Sequence, residues 1–278
     1  GPWTPDVLKT CHGSAQGKQL RLVKGSHLVV PRLYEGEHAY ILQNDDARIV
    51  FVIPYQQDFT LIGTTEVKLG NPPDAALDIS KIEAEYLCES TNAYFKKQIS
   101  PSDAVHTFAG VRPLFDDEAE QASKITREYV LDLDVLDGAP VLSIFGGKLT
   151  TYRQLAEKAM KHLAPYFPNM GPSWTATSTL PGGEACAPLK YSGIDEAVLK
   201  GLQDRHGSLA DQILDGATSM ADLGAYFGNG LTAREVDYMV RSEWAKTVDD
   251  ILWRRSKLGL YFSQTQQDAL AAYLKETS

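Results

Sequence analysis

The stretch LSIFGGKLTTYRQLAEKAM, residues 142–160, is where the reading of the fold turns. It opens inside a short apolar run, Val141 to Phe145, of strand length. It closes in a helical pattern, with Leu155, Ala159 and Leu163 at spacings of four. Gly146, Gly147, Lys148, Leu149, Thr150 and Thr151 lie between the two. A helix begins with unpaired N–H groups and the positive end of its dipole. Two glycines let a ligand approach the backbone, and Lys148 adds charge at the same end. Such a turn suits an anion or an electron-rich ring edge. It is neither the GxxxxGK[ST] nor the GxGxxG pattern. A plain glycine turn ahead of a threonine-capped helix also accounts for it.

Upstream, from about Leu20 to Val67, apolar residues come in strand-like runs: SHLVVPRLY, YILQ, RIVFVIPY and FTLIGTTEV. The breaks EGEH, QNDDA and QQD read as turns, which predicts an antiparallel meander. DISKIEAEYLCESTNAYFKKQ predicts a helix, capped by Asp78 or Ser80. AVHTFAGVRPLF reads as a strand, and ITREYVLDLDVLDGAPVLSIF as two strands around the turn LDGAP. Downstream, APYFPNMGPSWTATSTLPGGEACAP is a connector rich in Pro, Gly, Ser and Thr. Beyond Tyr191 the pattern is helical nearly throughout. The expected organisation is α+β. Residues 1–170 form a sheet domain and 171–278 a helical C-terminal domain.

The 278 residues carry a formal net charge of -9, which argues against a general nucleic-acid binder. Cys11, Cys88 and Cys186 are far apart and form no CxxC pair, so neither a disulfide framework nor a zinc site is expected. The histidines show no metal-ligand spacing. No apolar run has the length of a membrane span. The chain opens on Gly1-Pro2-Trp3 and not on Met, which reads as a cut inside a longer protein.

Arg112 lies between Gly110 and Pro113 in an otherwise apolar strand. A buried arginine needs an anionic partner. Asp116, Asp117 or Glu118 would supply one internally; a carboxylate or phosphate ligand would supply one from outside. Arg127 poses the same choice. His27, beside Ser26 and Lys24, is either structural or a proton shuttle near neutral pH. Arg254, Arg255 and Lys257 with Trp253 form a basic turn, read either as a solvated face or as a contact for a partner or phospholipid surface.

GPW, RLVKGSHLVVPR, RIVFVIPY, FTLIGTTEV, GVRPL, ITREYVLDL, SIFGGKLTTYRQLAE and TVDDILWRRSKLGL occur in one order. Together they resemble the C-terminal two-thirds of the FAD-dependent, aerobic glycerol-3-phosphate dehydrogenases, within the D-amino-acid-oxidase-like flavoproteins. The resemblance implies a mixed or antiparallel substrate-domain sheet lying over the flavin, with residues 1–20 and 140–165 as remnants of the FAD domain. It implies oxidation of sn-glycerol 3-phosphate to dihydroxyacetone phosphate, with FAD as cofactor and quinone as electron acceptor. A cytoplasmic, peripheral membrane location and a homodimer are further expectations. His27 matches the histidine near the substrate hydroxyl, and Arg112 and Arg127 match substrate-contacting arginines. Gly146, Gly147, Lys148, Leu149 and Thr150 match the segment that meets the isoalloxazine. Lys148 reaches either the reduced flavin or the substrate phosphate.

The GxGxxG fingerprint that holds the FAD pyrophosphate is absent from these residues. The chain by itself is therefore expected to be inactive and to lack stoichiometric FAD. Two rival readings stand beside this one. An amine or amino-acid oxidase of the same fold would need a single arginine for its carboxylate. A non-catalytic binding module would need none of these roles.

Overall fold

The computed structural model describes residues 1–12, 19–73, 77–115, 128–136 and 138–277. The chain divides into two compact units, Gly1–Ala176 and Thr177–Ser278.

The first unit is built on a six-stranded sheet. Its strands are β1 (Leu20–Pro31), β2 (Tyr40–Gln43), β3 (Ile49–Tyr55), β4 (Phe59–Gly63), β5 (Val67–Leu69) and β6 (His106–Phe115). The order is β2-β3-β4-β1-β5, with β6 on the other side of β1. Only β2, β3 and β4 form the expected meander. The twelve-residue β1 is buried along most of its length, so it takes the centre; β2 has four residues, three of them exposed, and takes the edge. Every pairing among the described strands is antiparallel, the second of the two expected forms. Helix α2 (Lys81–Asn92) covers one face. Ser80 caps it, exchanging hydrogen bonds with Glu83 in a capping box. Ala84, Leu87 and Cys88 of α2 pack on Leu28, Val30, Val50, Val52 and Ile62.

A separate hairpin, β7 (Tyr129–Leu136) and β8 (Ala139–Gly146), turns over Gly138, whose φ of +87° suits glycine. Beyond β8, a 3₁₀ turn at Leu149–Thr151 leads into helix α3 (Tyr152–Leu163). Thr151 stands at the helix start without a side-chain cap bond. Helix α1 (Thr4–His12) packs on β8. The connector is tied back to α3 by Glu157, which accepts hydrogen bonds from Ser173 (2.7 Å) and Thr175 (2.6 Å) and pairs with Arg153 (2.8 Å).

The second unit contains α4 (Glu196–His206), α5 (Ala210–Leu214), α6 (Ala233–Glu243) and α7 (Gln264–Thr277). It is not wholly helical, since Tyr226–Gly228 and Leu231–Thr232 pair as a short ribbon, β9 and β10. Fully buried Glu235 of α6 receives a two-pronged bond from Arg205 (2.6 and 2.8 Å) and a contact from His206 (3.0 Å). Burial would raise the Glu235 carboxyl, but those partners outweigh it and hold it below its ordinary value. TVDDILWRR forms a π-helical turn at Asp250–Arg255 in place of the expected α-helix. The Asp250 carboxylate accepts the Lys246 and Thr247 N–H groups (both 3.0 Å) and pairs with Arg254 (3.2 Å) and Arg255 (3.6 Å). The basic turn is thus largely engaged within its own element. Among the described residues no helix is long and apolar enough to cross a membrane, and no cluster of three potential metal ligands occurs.

Candidate active site

Alternation along β1 divides the KGSH segment between the two faces of the sheet. Lys24 and Ser26 point toward α2. There Glu83 accepts hydrogen bonds from Lys24 Nζ (2.7 Å), Ser26 Oγ (2.8 Å), Thr65 Oγ1 (2.7 Å) and Ser80 (2.9 and 2.8 Å). Burial alone would raise the Glu83 carboxyl; the bonds from Lys24, Thr65 and Ser80 overcome it and bring it to about 2. Gly25 and His27 point to the opposite, open face.

On that face the register of β1 with β6 pairs His27 with Phe108, Gly25 with Gly110, and Val23 with Arg112. Two facing glycines therefore separate the histidine from the arginine. His27 and Val23 lie roughly 13 Å apart along the strand. The Arg112 side chain spans much of this gap, because its Nη2 lies 2.9 Å from the point a Gly25 Cβ would occupy. The guanidinium thus covers Gly25, which is buried, while Gly110 beside it is exposed with open space above it.

The His27 ring stacks on Phe108, with centroids 4.7 Å apart and planes 9° from parallel. On its other side is Gly63, where any Cβ would overlap the imidazole. His27 Nδ1 is buried and has no hydrogen-bond partner among the described residues. Burial lowers the His27 pKa below 6.5, and the Arg112 charge lowers it further. The neutral ring is therefore the prevailing form near neutral pH. Arg112 also lies 3.8 Å from Glu66, its carboxylate partner on β1's other flank. Asp116, Asp117 and Glu118, the expected internal partners, lie outside the described residues, as does Arg127.

The Gly146–Gly147 turn sits at the end of the same sheet. A Cβ on Gly146 would come within 3.4 Å of Phe115 N and 3.8 Å of Pro113 O, so the turn abuts the strand just beyond Arg112. Both glycines have positive φ, +66° and +81°. The Tyr129 ring occupies the space a Gly147 side chain would need, and its hydroxyl donates to the Lys148 carbonyl (2.6 Å). Lys148, Leu149 and Thr150 are exposed, and the turn they begin lacks a side-chain cap. Its leading N–H groups thus have no side-chain acceptor of their own.

The structure therefore places His27 and Arg112 on one face and sets Gly146 beside its Arg112 end. The sequence reading did not single out Gly25, Gly63, Gly110, Thr64, Glu66 or Tyr129. Period-two alternation through KGSH and FAGVR would have identified the two facing glycines. The His27–Gly63 contact depends on strand pairing, which a single strand does not carry.

These residues fit a flavin ring. A row of paired positions crosses the open face: Ile41, Phe51, Gly63, His27 and Phe108. Three of them are exposed apolar side chains, Ile41 (60%), Phe51 (40%) and Phe108 (38%). An exposed apolar surface suits the face of an aromatic ring, and the bare Gly146–Gly147 backbone at the Arg112 end suits a ring edge that gains negative charge on reduction.

Residues 1–153 match the family model described as FAD dependent oxidoreductase, and residues 141–277 match the C-terminal domain of alpha-glycerophosphate oxidase. The chain is 48% identical to a glycerol-3-phosphate dehydrogenase of Pseudomonas aeruginosa, over 99% of this chain and 56% of that protein. It is 43% identical to the aerobic glycerol-3-phosphate dehydrogenase of Escherichia coli K12, over 99% of this chain and 57% of that protein. A crystal structure of a glycerol-3-phosphate dehydrogenase from Bacillus halodurans complexed with FAD superimposes with a TM-score of 0.71 at 25% identity, covering 99% of this chain and 60% of that one. The chain spans little more than half the length of these curated relatives.

Proposed function

Since the chain belongs to the family of FAD-dependent oxidoreductases, we propose that it forms the substrate-side sheet and C-terminal domain of an enzyme that oxidises sn-glycerol 3-phosphate to dihydroxyacetone phosphate. The observation that carries this reading is the placement of a half-buried imidazole and a guanidinium on one face of the sheet, across two facing glycines. Bound FAD supplies the two-electron acceptor for the hydrogen at substrate C2. Arg112 anchors the phosphate by charge-assisted hydrogen bonds. Lys148, exposed at the Gly146–Gly147 turn, adds a second cation, and the family resemblance assigns Arg127 to the substrate as well. His27 accepts the proton of the C2 hydroxyl as that carbon becomes a carbonyl. Phe108 and Gly63 hold the imidazole flat, and the lowered pKa keeps it unprotonated. Gly146, Gly147, Leu149 and Thr150 line the flavin edge.

In this proposal quinone takes the electrons, the enzyme is a homodimer, and it attaches peripherally to the cytoplasmic face of a membrane. The division of the domains at residues 170 and 171, with residues 1–20 and 140–165 belonging to the FAD domain, is part of the same reading. The test is turnover by the FAD-loaded enzyme containing this chain, using glycerol 3-phosphate, glycerol and a series of amino acids. The expected outcome is reduction of a quinone analogue with the phosphate ester alone. Turnover of amino acids without glycerol 3-phosphate would assign the site to an amino-acid oxidase.

A further inference from the structure

Thr64 follows Gly63 at the end of β4, where the chain leaves its pairing with β1 before resuming it as β5. Its neighbour Thr65 is drawn to the α2 side. Thr65 Oγ1 accepts the Ser26 N–H (3.0 Å) and donates to Glu83 (2.7 Å). With Thr65 held there, Thr64 turns to the open face. Its Oγ1 lies 2.5 Å from the point a Gly25 Cβ would occupy, and Arg112 Nη2 lies 2.9 Å from the same point. Both atoms thus pack against the bare Gly25 backbone, which they bury, and they lie no more than 5.4 Å apart, the sum of the two distances. Gly110, paired with Gly25, has open space where its own side chain would stand. The two Arg112 nitrogens have different surroundings, with Nη1 nearest Glu66 at 3.8 Å and Nη2 over Gly25. Among the described residues the Thr64 hydroxyl makes only a long bond to the Thr65 carbonyl, at 3.3 Å.

We propose that Thr64 and Arg112 form a two-donor cradle over Gly25 for one oxygen of the substrate's phosphate, which makes Thr64 a substrate-binding residue. An anionic oxygen placed over Gly25 accepts from the hydroxyl and the guanidinium together, and such bonds to charged groups are the strong ones. Glu66 neutralises Arg112 when the cradle is empty and gives way to a dianion. The glycine at position 25 is required because a Cβ there would collide with both donors and push them apart. This inference rests on the reading of the site as one for a phosphate ester.

The experiment compares wild type, Thr64→Val and Thr64→Ser in the FAD-loaded enzyme. Valine keeps the β-branched shape and loses the hydroxyl; serine restores the hydroxyl. Calorimetric binding of inorganic phosphate and kcat/KM for glycerol 3-phosphate are read separately, with thermal unfolding to confirm the fold. The cradle predicts that Thr64→Val weakens phosphate binding and kcat/KM by about 10- to 100-fold, while Thr64→Ser stays near wild type. Phosphate binding by Thr64→Val equal to wild type, or no phosphate binding by wild type, overturns the proposal. Phosphate binding that follows this pattern without turnover of glycerol 3-phosphate upholds the cradle and removes only the assigned substrate.

Discussion

His27 shows how one side chain acquires its chemistry from neighbours that sequence spacing does not reveal. Burial opposes its charged form, and Arg112 adds to the effect. Its pKa in the folded chain therefore lies below the 6.5 of the unfolded one. Between those two values the unfolded state binds more protons, so this group favours folding increasingly as pH rises through that window. The same depression fixes the expected kinetics. In the FAD-loaded enzyme, kcat/KM rises through an acidic limb centred below pH 6.5. His27→Gln loses that limb together with about 10²- to 10⁴-fold in rate, the usual contribution of a general base. Retention of both limb and rate would reduce His27 to a hydrogen-bonding residue. The sequence offered Arg112 as a charged residue within an apolar strand, and His27 as a proton-shuttling side chain in a motif of the family it resembles. It did not offer Gly63, since the need for a bare α-carbon there arises only when β4 is laid beside β1.

At the scale of elements, α2 and β1 are joined by a buried polar network around Glu83. Lys24 and Glu83 are both almost fully buried, at 8% and 5% exposure, so neither charge has water to fall back on. Removing one partner leaves the other uncompensated, at a cost of about 3–5 kcal/mol. Glu83→Ala should lose stability on that scale in urea denaturation at neutral pH. The Glu83 pKa falls from 4.5 to about 2 on folding, so its contribution is complete above pH 4.5 and is lost as pH falls through 2. The gap between wild type and variant should narrow accordingly on acidification. A gap that stays constant from pH 7 to pH 3 would show that packing, not the ion pair, is what the variant removes. The helix itself was legible from its Ser80 start signal and apolar spacing. The destination of Lys24 was not, because Glu83 is 59 residues away and nothing local couples the two.

At the scale of the molecule, strands and helices followed from periodicity, and their assembly did not. Alternation identified β2, β3 and β4, yet β1 entered the sheet between β4 and β6, where a long, largely buried strand finds a partner on each side. The ribbon at Tyr226–Thr232 escaped notice because its two strands have three and two residues, too few for a period. The π-helical turn at Asp250–Arg255 was hidden for a different reason, since its start signal is the same as that of an α-helix. The central claim is that the open face of the six-stranded sheet holds the phosphate ester beside the flavin. Anaerobic bleaching of the flavin by glycerol 3-phosphate, in the FAD-loaded enzyme with Arg112 or with Arg112→Ala, tests it most directly. The account predicts bleaching in wild type and a loss of about 2–5 kcal/mol in the apparent second-order rate constant of the variant, some 30- to several-thousand-fold, with its fold intact. Bleaching of the variant at the wild-type rate and substrate concentration would contradict it.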